Sequence, residues 1–397
     1  MQVYADNAAT TRISHRALEA MMPCYTTVYG NPSSLHTPGQ EAKELLEKAR
    51  ERIARHLGCT PREIYFTSGG TESDNLALRS AAALGARKGK KHIISTAFEH
   101  HAVLHTLDVL EREGFEITLL DVQEGHNITA EQVKAAIRPD TCLVSCMYAN
   151  NEIGSILPIA QIGEICREMG VIFHTDAVQA VGHLPIHVVE QKIDMLSLSG
   201  HKFHGPRGVG ALYVRKGLPL TNLIHGGAQE RGKRPGTENL PAIVGMAEAL
   251  DEALEQLKES TNKVRRLRDR LIEGLRKIPH SVLNGDPVNR LPGNVHFCFE
   301  GIEGEALLLL LDARGVAASS GSACTSGSLD PSHVLLAIGR PHEIAHGSLR
   351  LSLCEENTDE EVDHILTVVS EVVEYLRGIS PVWKDLQTGK RNYVTEE

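Results

Sequence analysis

Met195-Leu196-Ser197-Leu198-Ser199-Gly200-His201-Lys202-Phe203-His204-Gly205-Pro206 opens as a short apolar run and closes in a Gly-Pro turn, with a lysine between the two. A run of that length bounded by turn residues is read as a buried strand. The pattern recurs on both sides. Short runs at 63–67, 92–95, 116–120, 143–147, 171–174, 195–198 and 210–214 alternate with amphipathic helical stretches such as 71–84, 129–137 and 159–169. That alternation predicts a largely parallel sheet covered by helices on both faces. A long Pro-free helical region at about 242–278 then leaves this first unit. The stretch from 294 to about 378 reads as strand, helix, short strand, Ser/Gly loop, helix, strand and helix, a smaller α/β unit.

At 397 residues the chain exceeds the roughly 250–300 residues at which one hydrophobic core stops growing, so two cores are expected. An apolar fraction of 41% and a charged fraction of 23% are those of an ordinary globular protein. A net charge of -10 argues against nucleic acid as a partner. The first twelve residues lack the apolar core of a signal peptide. The longest apolar stretch, 306–311, falls far short of the ~20 residues that span a bilayer, so a cytoplasmic protein is expected. Eight scattered cysteines form no Cys-x-x-Cys pair, and twenty histidines show no zinc spacing. No metal is expected. Cys142 and Cys146 lie in the run Cys142-Leu143-Val144-Ser145-Cys146-Met147, which reads as a buried strand, and are read as core thiols.

In open α/β sheets, ligands collect at the carboxyl ends of strands. Four such junctions hold unusual residues. Ser68-Gly69-Gly70-Thr71-Glu72-Ser73 after the first run is either a phosphate cup at a helix start or a plain capping turn with Thr71 or Ser73 as cap. Asp176, after the run at 171–174, suits a partner for a protonated heterocycle nitrogen, or a helix cap. Lys202 sits where desolvation lowers the pKa of an amine, as a Schiff-base lysine requires, although most lysines are solvated surface charges. Cys324 lies in Ser319-Ser320-Gly321-Ser322-Ala323-Cys324-Thr325-Ser326-Gly327-Ser328. Free cysteines are usually buried, so one in such a loop is read as a nucleophile. His100 and Arg350 join this set as an imidazole able to stack on a ring and move protons, and a guanidinium able to bind a carboxylate bidentately.

Cup, acid, lysine and arginine follow one another in the order of fold-type I pyridoxal-phosphate (PLP) enzymes. The chain resembles one family of them, the NifS/IscS-type cysteine desulfurases, over nearly its whole length. The resemblance rests on Gly30-Asn31-Pro32-Ser33-Ser34-Leu35-His36, Ser68-Gly69-Gly70-Thr71-Glu72-Ser73-Asp74-Asn75, Asn150-Asn151-Glu152-Ile153-Gly154, His174-Thr175-Asp176-Ala177-Val178-Gln179, Ser199-Gly200-His201-Lys202 and Ser322-Ala323-Cys324-Thr325-Ser326-Gly327. It implies a fold-type I PLP-dependent transferase. A large domain would span 16–259, and a small domain, 1–15 with 260–397, would carry the cysteine loop.

The resemblance further implies that Lys202 carries pyridoxal 5'-phosphate as a Schiff base, His100 stacks on the ring, Asp176 pairs with its nitrogen and Gln179 meets its phenolic oxygen. Gly70, Thr71, Ser199 and His201 would hold the phosphate, with Thr237 reaching it from the partner subunit of a homodimer. Asn151 and Arg350 would bind the substrate carboxylate. The activity implied is conversion of L-cysteine to L-alanine, with the sulfur held as a persulfide on Cys324. An iron–sulfur scaffold protein of the IscU/NifU-like kind would accept it. Cys354 departs from the family pattern, which favours Gly or Ser there, and is read as a packing residue. The alternatives are a selenocysteine lyase or an aminotransferase on the same scaffold, or a catalytically idle sulfur carrier.

Overall fold

The computed structural model describes residues 1–122, 127–320 and 331–395. Cys324 and its loop therefore lie outside the described residues. The strands are β1 (Val3–Tyr4), β2 (Ile64–Thr67), β3 (His92–Thr96), β4 (Glu116–Leu120), β5 (Thr141–Ser145), β6 (Ile172–Asp176), β7 (Met195–Ser199), β8 (Gly210–Val214), β9 (Ser281–Leu283), β10 (Asn294–Phe299), β11 (Val316–Ala317) and β12 (Ser348–Ser352).

Seven of them form one sheet in the order β2-β8-β7-β6-β5-β3-β4. The pairs among β7, β6, β5, β3 and β4 are parallel, whereas β8 runs antiparallel to both β2 and β7. The exception has a local cause. Only the turn at 200–209 joins β7 to β8, and a short connection reverses the chain where a parallel return needs a crossover helix. Successive strand residues face opposite sides of the sheet. Ile93, Leu143 and Met195 therefore enter one apolar cluster with the helix Gly70–Ala86, while Ile94, Val144 and Leu196 enter another with Thr37–Leu57 and Leu240–Glu255. The expected sheet covered on both faces is what forms.

Two expectations shift. The run expected at 143–147 pairs as Thr141–Ser145, because the Met147 N–H leaves the ladder and bonds Glu99 Oε1 at 2.8 Å. The single helix expected at 242–278 is two, Leu240–Glu255 and Leu257–Leu275, meeting at Gln256. The first belongs to the apolar cluster of the large sheet. The second packs its Val264, Leu267 and Leu271 into a separate cluster with Phe297, Leu351 and Val369. A straight helix cannot serve both.

That second cluster lies on an antiparallel sheet, β12-β10-β9, beside the parallel pair β1-β11. Asp6 bridges onward to Ser352 of β12, so the N-terminal segment runs from β11 to β12. The C-terminal tail, in which the sequence shows no motif, packs here too. Val394 and Thr395 donate their N–H groups to Glu300, and the Tyr393 ring stacks on His280 at 3.8 Å. Cys142, Cys146 and Cys354 are buried as expected. No helix among the described residues is long and apolar enough to cross a membrane.

One buried ion pair fixes the edge of the large sheet. Arg50 and Glu230 are 3% and 2% exposed and meet in a fork, with N···O distances of 2.9 and 2.7 Å. Glu230 also accepts the Phe66 N–H at 2.9 Å. Removing one partner of such a pair leaves a buried charge uncompensated, at a cost of about 3–5 kcal/mol. Glu230→Ala is expected to lower unfolding free energy by about that amount in urea titrations. A loss below about 1 kcal/mol, the range of a surface pair, contradicts it.

Candidate active site

The carboxyl ends of β3, β5, β6 and β7 open on one cavity. Asp176 is the last residue of β6, Ser199 is the last of β7, and Lys202 closes the single helical turn Gly200–Lys202. His100, Asn151, Asp176, Gln179, Lys202 and Arg350 all line this cavity, together with Gly70, Thr71, Ser199 and His201 at one end. Those last four also line an adjoining recess with Thr10 and Arg207. Residues scattered from 70 to 350 in the chain thus converge.

The recess is built to take an anion. Its floor is the start of the helix Gly70–Ala86, whose N-cap Gly69 makes no side-chain capping bond. The plain capping turn with Thr71 or Ser73 as cap is therefore not what forms. A Cβ on Gly70 would stand 2.6 Å from Val178 Cγ2, so only glycine lets the helix start approach the residues after Asp176 this closely. Free N–H groups and the helix dipole favour negative charge at such a point. Thr10 Oγ1 accepts the Arg207 Nε–H at 3.2 Å and lies 3.1 Å from His201 Nδ1. Burial, with Lys202 and Arg207 beside it, pulls His201 down to about 4, so the ring is neutral at pH 7.

The ring-sized part of the cavity carries the charges. Lys202 Nζ donates to the carbonyls of Ala8 and Ala9 at 2.6 and 2.9 Å, and Gln179 Nε2 donates to the same Ala8 oxygen at 2.9 Å. His100 Nδ1 accepts the Ala102 N–H at 3.1 Å, capping the helix His101–Arg112, which fixes its ring orientation. Asp176 Oδ1 accepts the Val178 N–H at 2.9 Å. Burial raises the Asp176 carboxyl, opposed by His100, the Val178 amide and Lys202.

Sequence reasoning missed two further acids here. Asp74 is buried against Asp176, and burial followed by that repulsion raises it well above the carboxylate range. Glu99 is pushed up to about 8, by burial first, with Asp176 again adding to the rise. Neither faces a cation as Asp176 does. Of the three, Asp176 is the one whose rise is opposed by Lys202 and His100. A signal was present for Glu99, a carboxylate directly before His100, but nothing in its sequence context announces burial.

Arg350 in β12 donates to the Asn151 carbonyl at 3.2 Å and to Asp6 Oδ1 at 2.9 Å. Its backbone exchanges hydrogen bonds with Ser319, of 2.6 and 3.2 Å. On the other side of residues 321–330, Ser332 Oγ donates to Glu152 Oε2 at 2.5 Å, and the His333 ring lies 4.5 Å from that of His101. The chain leaves the described residues beside Arg350 and returns beside Glu152, both lining the cavity. Thr237 is exposed and lines neither cavity nor recess.

A mostly parallel sheet with a carboxylate ending one strand, a lysine just past its neighbour and an anion cup at a helix start defines a fold-type I PLP-dependent enzyme. Comparison with known proteins narrows this. The chain matches the family described as Aminotransferase class-V over residues 3–365. It is 56% identical to a cysteine desulfurase IscS of Methanosarcina thermophila over 380 residues, covering 96% of this chain and 94% of that protein. It superposes on a solved NifS-like protein with a TM-score of 0.89 and 41% identity, covering 95% of this chain and all (100%) of that one. A structure described as SspA in complex with cysteine gives 0.79 and 38%, covering 89% and 99%. The chain belongs to the class-V aminotransferase family, in its branch of NifS/IscS-type cysteine desulfurases. Its cofactor is pyridoxal 5'-phosphate, and the donors fit it: an anion cup, a buried carboxylate and a lysine share one cavity.

His296 in β10 stands opposite Arg350 across the ladder and is fully buried. Burial, then Arg350, Arg290 and Arg340, depress its pKa to about 3. The unfolded chain binds a proton at this residue below about pH 6.5 and the folded chain does not. Stability is therefore lost as pH falls below 6.5, by about 1.4 kcal/mol per unit for this one group. His296→Gln is expected to flatten the pH dependence of unfolding free energy between pH 6 and 4 by about one proton. An unchanged slope in urea titrations across that range contradicts the assignment.

Proposed function

We propose that this chain is a cysteine desulfurase that converts L-cysteine to L-alanine, holds the sulfur as a persulfide on Cys324 and supplies it for iron–sulfur cluster assembly. One observation carries the reading. Both anchors of the segment that contains Cys324, Ser319 on Arg350 and Ser332 on Glu152, sit at the cavity that holds Lys202 and Asp176.

When bound, pyridoxal 5'-phosphate supplies an electron sink conjugated to the substrate Cα. The chain does the rest. Gly70, Thr71, Ser199 and His201 would hold the phosphate end, Asp176 the ring nitrogen, and Gln179 the phenolic oxygen. Lys202 would hold the cofactor covalently and, once released, would take the Cα proton. The Ala8 and Ala9 carbonyls keep its amine aimed. Asn151 and Arg350 would hold the substrate carboxylate. His100 would stack on the ring and accept the Cys324 thiol proton. The Cys324 thiolate then attacks the substrate sulfur. An S–S bond forms as the C–S bond breaks, the electron pair stays on Cβ, which takes a proton to become the methyl of alanine, and Lys202 returns a proton to Cα before alanine leaves.

The same reading takes 16–259 as the cofactor-holding domain and 1–15 with 260–397 as the domain carrying Cys324, supported by their separate apolar clusters. Thr237, exposed here, reaches the phosphate of a second copy in a homodimer. An IscU/NifU-like scaffold protein takes the sulfur, in the cytoplasm.

The test measures alanine and sulfide together from L-cysteine and a reductant. Equal yields are expected. Cys324→Ala is expected to perturb the cofactor's absorption on adding cysteine yet release neither product, and Lys202→Ala to lose turnover altogether. Sulfide at the wild-type rate from Cys324→Ala refutes the persulfide step. The charge assignment has its own check. Asp176→Asn is expected to lower kcat by about 10²–10³-fold, the scale of a lost electrostatic stabiliser, while Asp74→Asn, which mimics a protonated acid, leaves it within about threefold. Equal losses in both variants contradict the placement of charge on Asp176.

A further inference from the structure

On the far side of the Lys202 turn, a second cavity of about 320 Å³ is lined by His204, Cys354 and Glu355, among others. We propose that these three side chains bind a divalent cation of the zinc type and so tie the Lys202 turn to the end of β12.

The ligand atoms already lie together, all within 4.8 Å of one another. His204 Nδ1 bonds the Arg12 carbonyl at 2.9 Å, which fixes the tautomer and leaves Nε2 as the coordinating nitrogen. A carbonyl behind the imidazole is the usual orienting partner of a metal-ligating histidine. Nε2 itself lies 3.1 Å from Glu355 Oε1, and that carboxylate raises the His204 pKa against burial, so a cation here takes the place of a proton held between the two side chains. With metal bonds of about 2.0–2.3 Å, tetrahedral ligand atoms stand roughly 3.3–3.8 Å apart, so side-chain adjustments of up to about 1–1.5 Å draw the three atoms onto one ion.

The donor set selects the ion. Thiolate with imidazole and one carboxylate suits zinc, whereas magnesium and calcium take oxygen. Three protein ligands leave a fourth position, and the cavity has room for a water there, at about 30 Å³ each. Cys354 is 6% exposed, and burial pushes its thiol up to about 12, so without a cation it is a neutral packing residue. Coordination displaces that proton to solvent. His204 follows Lys202 closely and Cys354 follows Arg350, so the cation cross-links the two segments that carry the amine and the carboxylate-binding fork.

Co²⁺ is the probe, titrated into the full-length, cofactor-loaded protein carrying Cys324→Ala to remove a competing thiol. One Co²⁺ per chain is expected, with a thiolate-to-cobalt charge-transfer band and the visible bands of a tetrahedral ion, all displaced by Zn²⁺. Cys354→Ser and His204→Asn are expected to abolish the charge-transfer band or weaken binding at least tenfold, whereas Cys59→Ser keeps both. His204 has φ 62°, a left-handed conformation that Asn tolerates, so that variant folds even if another does not. Zn²⁺ is expected to raise the thermal midpoint of the parent and not of Cys354→Ser. The proposal is overturned if the parent takes up no more Co²⁺ than Cys354→Ser, or if the band survives in both ligand variants.

Discussion

The N-terminal segment 5–11 is the fastener on which the active site depends. Its backbone is laced to Ser352 of β12, where the Asn7 N–H meets the Ser352 carbonyl and the Ser352 N–H meets that of Ala5. A few residues later Thr11 bonds the His201 carbonyl through both its N–H and its hydroxyl. Between these two anchorages the Ala8 and Ala9 carbonyls take the Lys202 amine, and Asp6 takes Arg350. The segment spans the two apolar clusters, so the relative position of lysine and arginine is set by a handful of backbone hydrogen bonds. The amine is thereby held by two main-chain carbonyls, with the Asp176 carboxyl close enough to feel its charge.

Much of this was legible beforehand, and the reason is physical. Short, nearly continuous apolar runs along β3, β5 and β7 follow from having helices on both faces, so the sheet could be read from runs such as Met195–Ser199. The antiparallel turn of β8 was not read, although the brevity of 200–209 contained it. Asp176, Ser199 and Lys202 were found because they sit at or just past a strand's carboxyl end, a place the order of elements marks, whereas Arg350 stands in the middle of β12. The supporting groups were harder to see. Ala8 and Ala9 act through main-chain oxygens, which every residue has, and Asp74 and Glu99 act through burial, which no local pattern encodes. The His204, Cys354 and Glu355 cluster joins residues far apart in sequence, so no spacing rule for metal ligands could find it.

Three acids around one site divide their work by environment alone. Asp176, Asp74 and Glu99 have similar chemistry in water, yet only Asp176 has a lysine and an imidazole in view. Burial raises the other two with no such opposition, and Glu99, pushed up to about 8, takes the Thr96 hydroxyl and the Met147 N–H. Packing thereby favours charge most at the end of β6, the stiffest kind of support a chain offers.

The contact between Asp6 and Arg350 has a bearing on traffic through the site. A carboxylate from the protein already neighbours the guanidinium, so on the proposed role of Arg350 arrival of an amino acid is an exchange of one anion for another rather than the capture of a bare cation. Such an exchange changes the electrostatic energy little, and it lets alanine depart as readily as cysteine enters. Retention of the right molecule then rests with its thiol and amine, the two groups the reaction consumes.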